Sequence, residues 1–458
     1  MLPLSWLVTV MNRLLLFAFA WLVAIAATSL PAADRPPNVV LIFIDDMGYA
    51  DIGPFGNTEV KTPHLDKFAT QGMKFTSFYA TPVCSMSRAS LLTGCYNTRV
   101  SVPGVLFPNS KVGLHPDEVT LGDIAKQKGY ATAAIGKWHL GHQPEFLPTK
   151  QGFDSYFGIP YSNDMGTKPN RPNFPPLPLM RDDKTIETEP DQAQLTKRYT
   201  EEAVKFIRAN QDKPLFLYLP HTMIHFPLAA SADFKGKSKM GFIGDTIEEI
   251  DWSVGQITKT LDELKLNENT LVIFTSDNGP AGRAAPPFRG SKGSIFEGGV
   301  REPCIMRWTG KIPAGTTCER IAGNVDVLPT MAKLIGADLP KDRTLDGRDI
   351  SSLLLDPQAP AVRDTQLYFT GAGSLGAIRV GEWKLFLNGL PVVANKKQGK
   401  KKLLAVDTVA LFQLTDDIGE TNNVAEANPE IVKQLKTTAT KLWDEIKANK
   451  RPAGEAKE

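Results

Sequence analysis

Residues Cys84 to Gly94 read CSMSRASLLTG, a cysteine just ahead of a short amphipathic stretch with Arg88 four residues on. A helix over Ser85–Thr93 puts Cys84 at its N-terminus and Arg88 near it on the same face. Unpaired backbone N–H groups, the helix dipole and a guanidinium then converge on one reactive side chain, an arrangement suited to an anion. A lone cysteine more often packs as a small apolar residue. The polar residues elsewhere in the chain argue for chemistry instead.

Those residues follow apolar runs. Asn38–Ile44 (NVVLIFI) is followed by Asp45-Asp46, and Ala131–Ile135 by GKWHLGH, which holds Lys137 and His139. Leu215–Leu219 is followed by PHTMIH with His221 and His225, and Leu271–Thr275 by SDNG with Asp277 and Asn278. Runs this continuous read as strands buried on both faces, and amphipathic helical stretches lie between them at Thr62–Gln71, Thr120–Lys128, Thr196–Arg208 and Thr246–Leu264. The alternation predicts an α/β layer sandwich around a mostly parallel sheet. Ligand sites in such sheets lie beyond the carboxyl ends of the strands, where these polar residues fall. A lysine and a histidine two apart point the same way only in extended backbone, so GKWHLG is expected as strand or loop.

The chain has 458 residues, enough for one large domain and a smaller one, with 52 Lys+Arg against 50 Asp+Glu. No basic excess points to nucleic acid, and the run Lys396–Lys402 reads as a solvated loop. In residues 1–33, Arg13 precedes LLLFAFAWLVAIAA, then small residues and a proline, the order of a secretory signal and short for a membrane span. The expectation is an exported protein, periplasmic or secreted, with no membrane span after signal cleavage. Four cysteines do not make a disulfide scaffold, although Cys304 and Cys318 flank a turn-rich segment and are a candidate pair across adjacent strands. Pro160–Pro190, rich in Pro, Asn and Asp, reads as a long surface loop bordering the site. Beyond Pro357 the pattern changes to TQLYFTG, GAIRVGEWKLFLN and ALFQLT, read as antiparallel strands, with one closing helix in NPEIVKQLKTTATKLWDEIKAN. The expected division is a catalytic domain over 34–356 and a C-terminal α+β subdomain over 357–458.

Taken together, PPNVVLIFIDDMGYADIG, TPHLDKFATQG, CSMSRASLLTG, GKWHLG, SDNGP, FRGSKGSIFEGGVREP and LFQLTDDIGETNN resemble, in this order, the type I sulfatases of the alkaline phosphatase superfamily. The resemblance spans essentially the whole mature chain. It implies a large mixed, mostly parallel sheet sandwiched by helices, and hydrolysis of sulfate esters such as those of sulfated carbohydrates. It implies that Cys84 is oxidised by a formylglycine-generating enzyme to formylglycine, whose gem-diol is the nucleophile. It assigns Asp45, Asp46, Asp277 and Asn278, with residue 84, to one metal ion. These are hard oxygen donors that suit Ca²⁺, or less well Mg²⁺, rather than zinc. Arg88, Lys137 and Lys292 match the family's sulfate-binding cations, His139 its base, and His225, preferred to His221, its histidine at the leaving-group oxygen. Glu297 in EGG is read as structural. Met86 departs from the family's C-x-P/A-x-R pattern, which the maturation enzyme reads in extended form. Two rival readings remain at this stage: a phosphate-ester or phosphonate hydrolase of the same superfamily, and a non-catalytic sulfated-glycan binder whose Cys84 is never matured.

Overall fold

Asn38–Ile44 forms β1, buried along its whole length because both faces of the strand are covered. In the computed structural model, which describes residues 35–167, 173–388 and 409–456, it lies at the centre of an eleven-stranded sheet. The expected leader and the Lys396–Lys402 run fall outside the described residues. The other strands are β2 (Met73–Tyr79), β3 (Ala131–Ile135), β4 (Ser155–Gly158), β5 (Pro178–Arg181), β6 (Lys184–Thr188), β7 (Leu215–Pro220), β8 (Thr270–Ser276), β9 (Arg301–Arg307), β10 (Thr316–Cys318) and β11 (Ala322–Gly323). Their order is β10-β2-β9-β8-β1-β7-β3-β4-β5-β6, with β11 also on β2. From β8 through β1, β7 and β3 to β4 the pairing is parallel; β9 runs antiparallel to both neighbours, as do β5 and β6 at the far edge.

The helices are α1 (Pro63–Gln71), α2 (Cys84–Thr93), α3 (Leu121–Lys126), α4 (Leu195–Ala209), α5 (Gly241–Glu263), α6 (Val327–Ile335) and α7 (Pro429–Ala448), with shorter turns between. The two-residue period of β1 sends Val39, Leu41 and Phe43 to a core shared with α2, α3 and α6, and Val40, Ile42 and Ile44 to a core shared with α1, α4 and α5. Helix α4 shows why it docks: Leu195, Tyr199, Ala203 and Ile207, four apart, are all buried. Truncating Ile207 to alanine there is expected to cost about 2–5 kcal/mol.

A second, four-stranded antiparallel sheet contains β12 (Thr365–Phe369), β13 (Leu375–Val380), β14 (Trp383–Phe386) and β15 (Ala410–Gln413). Helix α7 covers it with Leu435, Ala439 and Ile446. Met86 and Tyr96, from and just after α2, are part of this same cluster. The residue that departs from the family pattern is therefore fully buried and packed toward the C-terminal sheet.

Two expectations need correction. Residues 160–190 are not one surface loop, since β5 and β6 form a hairpin within them that extends the main sheet. Cys304 and Cys318 are free thiols on strands that are not adjacent: each is register partner to Phe75, on opposite sides of β2. Strands two places apart lie roughly 9–10 Å from each other, too far for a disulfide.

Candidate active site

Strands β1 and β8 are in parallel register through Ile44 and Ser276, so the residues that follow them emerge side by side. Asp277 donates its N–H to Ile44 O at 2.9 Å, and Asp46 donates its own to Asp277 Oδ1 at 3.1 Å. Asp46 turns away in a left-handed conformation (φ 64°), one that Asp tolerates better than most residues. After β3 the chain must pass under β7 at Gly136, where a Cβ would lie 1.9 Å from Pro220 O. That crossing delivers Lys137 and His139 on a loop, His139 itself being left-handed (φ 62°).

Helix α2 starts at Cys84, one residue earlier than the sequence pattern predicts, after an extended Val83 and with no side-chain cap. Cys84 is buried, and burial raises its thiol pKa. Ser87 locks the helix to the strand ends: its hydroxyl accepts from the Thr81 N–H at 2.8 Å and donates to Asp277 O. One turn on, Arg88 is fully buried, with Nη2 3.0 Å from both Asp45 Oδ2 and Asp277 Oδ2 and Nη1 donating to Lys137 O at 2.6 Å.

Two lysines complete the positive lining. Lys137 Nζ lies 2.5 Å from Asp45 Oδ2 and donates to Ser162 Oγ at 3.1 Å, and Lys292 Nζ lies 2.6 Å from Asp46 Oδ1. Asn278 donates to the same Asp46 oxygen at 2.7 Å. Burial works to raise Asp45, but Lys137, His225 and Arg88 outweigh it and hold that carboxyl well below the usual range. Burial pushes Asp46 and Asp277 up to about 6, with the Asp45 charge adding to both.

Three carboxylates thus face three cations, yet Asp45 Oδ1, Asp46 Oδ2 and Asn278 Oδ1 are buried with no hydrogen-bond partner. Orphaned carboxylate and amide oxygens grouped this way are costly unless something positive meets them. Cys84, Asp45 and Asp277 offer ligand atoms within 4.8 Å of one another, as do Asp45, Asp46 and His225. The donor set fits a hard divalent cation, whose added charge an anionic substrate would offset.

Of the six histidines, two reach this cluster. His139 Nε2 meets Leu106 O at 2.9 Å, and a carbonyl only accepts, so Nε2 carries the proton. Its Nδ1 is buried without a partner. Burial, with Lys137 and Arg88, holds the ring neutral and leaves Nδ1 a free base. His225 Nδ1 meets Phe226 O at 2.6 Å and Asn163 Oδ1 at 2.9 Å, which turns Nε2 toward Asp46 Oδ2 at 3.8 Å. Burial and Lys137 lower His225 to about 4. His221 instead faces Ser253 Oγ at 3.0 Å, with burial holding its pKa at about 3. Ser162 and Asn163, which hold Lys137 and His225, were not among the expected site residues. Their signal was position alone, since they follow the carboxyl end of β4.

The family model described as Sulfatase matches residues 37–337. Arylsulfatase A of Homo sapiens is 39% identical over 446 residues, covering 88% of this chain and 87% of that protein. N-acetylgalactosamine-6-sulfatase of Canis lupus familiaris is 39% identical over 392 residues, 79% of this chain and 74% of that protein. Among solved structures, the PsFucS1 sulfatase from Pseudoalteromonas sp. aligns with a TM-score of 0.83 at 29% identity, covering 92% of each chain. Matched by the family model over most of its length and 39% identical to a sulfatase across 88% of it, the chain belongs to the sulfatase family of sulfuric ester hydrolases.

Proposed function

We propose that this sulfatase acts on sulfated saccharides, with residue 84 matured from cysteine to formylglycine and one Ca²⁺ held by Asp45, Asp46, Asp277 and Asn278 beside it. The observation that carries the reading is the set of orphaned oxygens on Asp45, Asp46 and Asn278 grouped with Cys84 at the start of α2. Similarity to an N-acetylgalactosamine-6-sulfatase supports a saccharide as the alcohol part. The expected leader supports export to the periplasm or beyond, and no described helix is long and apolar enough to cross a membrane.

When present, the aldehyde hydrate supplies two hydroxyls, one to attack sulfur and one whose deprotonation releases sulfate, while the cation neutralises sulfate oxygens. Arg88, Lys137 and Lys292 spread positive charge over the same oxygens, where negative charge builds in the transition state. Asp277 takes the proton of the attacking hydroxyl. His225, assisted by Lys292, protonates the departing alcohol oxygen. Its lowered pKa arises from burial and lysine charge, and an anionic sulfate bound against those lysines offsets the charge. His139 takes the proton of the second hydroxyl at its free Nδ1, and the sulfate leaves as that hydroxyl oxygen becomes the aldehyde again.

Two measurements test this. Mass spectrometry of the tryptic peptide containing residue 84, from protein co-expressed with a maturation enzyme, should show the aldehyde or its hydrate in place of the thiol. The same protein should hydrolyse an aryl sulfate well ahead of an aryl phosphate. A thiol in all native material, or a preference for phosphate, sinks the reading.

A further inference from the structure

Four arginines are buried among the described residues, and one of them lacks a counter-charge. Arg88 pairs with Asp45 and Asp277, Arg99 with Asp346 and Glu445, and Arg301 with Glu297. Arg307, 4% exposed at the end of β9, has no carboxylate within ion-pair distance among the described residues. Its Nη1 donates to Gln71 Oε1 at 3.0 Å and its Nη2 to Asn267 Oδ1 at 2.7 Å, both amide oxygens. Its Nε is buried with no partner. The guanidinium lies 5.3 Å from the centroid of the Phe68 ring, which adds attraction but no charge. Burial holds its pKa below the ordinary value, with Asp262 opposing. A buried cation met only by neutral groups is costly unless an anion comes to it.

Arg307 forms one wall of a cavity of about 220 Å³ between α1 and α5. His64, Lys67, Phe68 and Gln71, three or four apart, give one face of α1 to it, and α5 gives Lys259 and Asp262. The two helices come close at Gly255, where a Cβ would lie 2.6 Å from His64 Cγ. The charged walls are thus Lys67, Lys259 and Arg307 against Asp262 alone, and Asp262 already accepts from Asn267. Lys259 reaches Glu263 only at 3.9 Å, and Arg208 also holds that carboxylate. Because β9 pairs Arg307 with Val272, near the start of β8, the cavity lies at the amino ends of the parallel strands. The reacting centre is at their other end.

The wall chemistry and the size select the ligand. A guanidinium, two ammonium groups and the amides of Gln71 and Gln256 are donors that suit a tetrahedral oxyanion. The volume is below that of sites for drug-sized ligands and suits an ion with a few waters. The cleft under α7 offers no such vacancy of charge, since its buried Arg99 is engaged by two carboxylates.

We infer that this cavity is a second anion site, separate from the reacting centre, which takes a free tetrahedral oxyanion: inorganic sulfate, the ion a sulfatase releases, or phosphate. An ion held there ties α1, α5 and the end of β9 together and stabilises the folded chain with its occupancy. The site depends neither on maturation of residue 84 nor on the nature of the alcohol.

The test is equilibrium dialysis of the full-length protein against labelled sulfate and, separately, labelled phosphate, at an ionic strength fixed with chloride. The tighter of the two names the occupant. Lys67→Glu combined with Lys259→Glu changes only exposed side chains, so the melting temperature in chloride should stay close to that of the wild type. That double variant should bind the oxyanion at least about tenfold more weakly at this site, and Arg307→Gln should abolish binding there. Lys292→Ala, at the reacting centre, should leave this binding intact. The inference is overturned if the wild type binds neither ion, or if the lysine variant, which serves even where Arg307→Gln does not fold, binds as the wild type does. It is equally overturned if all binding disappears in Lys292→Ala, or if chloride displaces the ion as readily as unlabelled oxyanion does. None of these outcomes touches the sulfatase reading, which rests on turnover and on residue 84.

Discussion

Two clusters of buried charge differ in how completely their groups are met. Around Glu297, Oε2 accepts from Tyr79 at 2.6 Å and meets Arg301 at 3.3 Å, while Oε1 accepts from Tyr368 at 3.0 Å and meets Lys384 at 2.8 Å. Lys384 also pairs with Glu420 at 2.8 Å and donates to Ile295 O at 2.8 Å. Strands β2, β9 and β14 and the turn at Glu297 are joined there, and every partner is the protein's own. Around Asp45 and Asp46 the charges are as deeply buried, yet three oxygens, two of carboxylates and one of an amide, accept no hydrogen bond. In the first arrangement both Glu297 oxygens are met by the protein's own donors. The second is completed by something that binds, which is the physical difference between a structural ion cluster and a site.

The sharpest way to break the comparison is at residue 84. If residue 84 carries the proposed nucleophile, Cys84→Ala should lower aryl sulfate kcat/KM by at least about 10⁴-fold, leaving only binding and charge stabilisation, while the melting temperature stays close to that of the wild type. Lys384→Met should do the opposite. It strands Glu297 and Glu420 without their shared cation, a loss of about 3–5 kcal/mol in denaturant unfolding, with kcat/KM of the folded protein unchanged. If Lys384→Met instead spares stability and removes activity, the division between the clusters is wrong.

A third, smaller effect concerns the cation. Ca²⁺ at a hundred times its Kd should stabilise the wild type by about 2.7 kcal/mol, read as a rise in melting temperature over protein in chelator. Asp46→Ala should erase that rise, and Lys384→Asp or other changes at the Glu297 cluster should not. A Ca²⁺ response that survives Asp46→Ala would put the ion elsewhere.

Much of this was legible from local pattern because the site is built at strand ends. Strands β1 and β3 have the bounds their apolar runs predict, and the carboxylates, lysine and histidines follow them directly. What escaped depends on partners distant in sequence. Strand β9 opens with Arg301, Glu302 and Pro303, unlike a central strand, and is possible there because Arg301 reaches Thr76 O, Ser77 and Glu297. Strand β2 carries Lys74 and Thr76 among its apolar residues, and its position between β9 and β10 is what separates Cys304 from Cys318. Helix α5 starts at Gly241, five residues before the predicted start at Thr246, since Gly241 and Gly244 mask its first turn. Ser162 and Asn163 lie in a segment with no periodicity, and only the placement of β4 brings them to Lys137 and His225.

The smallest predicted effect is a difference in slope with pH. Burial holds Asp46 and Asp277 at about 6 in the metal-free fold, against an ordinary value of 3.8. A carboxylate raised on folding binds its proton more tightly in the folded state, so its contribution to stability is full below about 4 and is lost as pH rises through 6. A bound cation requires both groups ionised and reverses that sign. Ca²⁺ affinity should therefore fall about tenfold per pH unit per group below pH 6. Melting temperatures across pH 4–7, in chelator and in Ca²⁺, should diverge as pH rises through that window. The Glu297 cluster contributes equally to both curves and cancels in their difference. Asp46→Asn, which removes one titrating group while keeping the shape, should narrow the divergence; curves that stay parallel would mean that these carboxylates do not hold the ion.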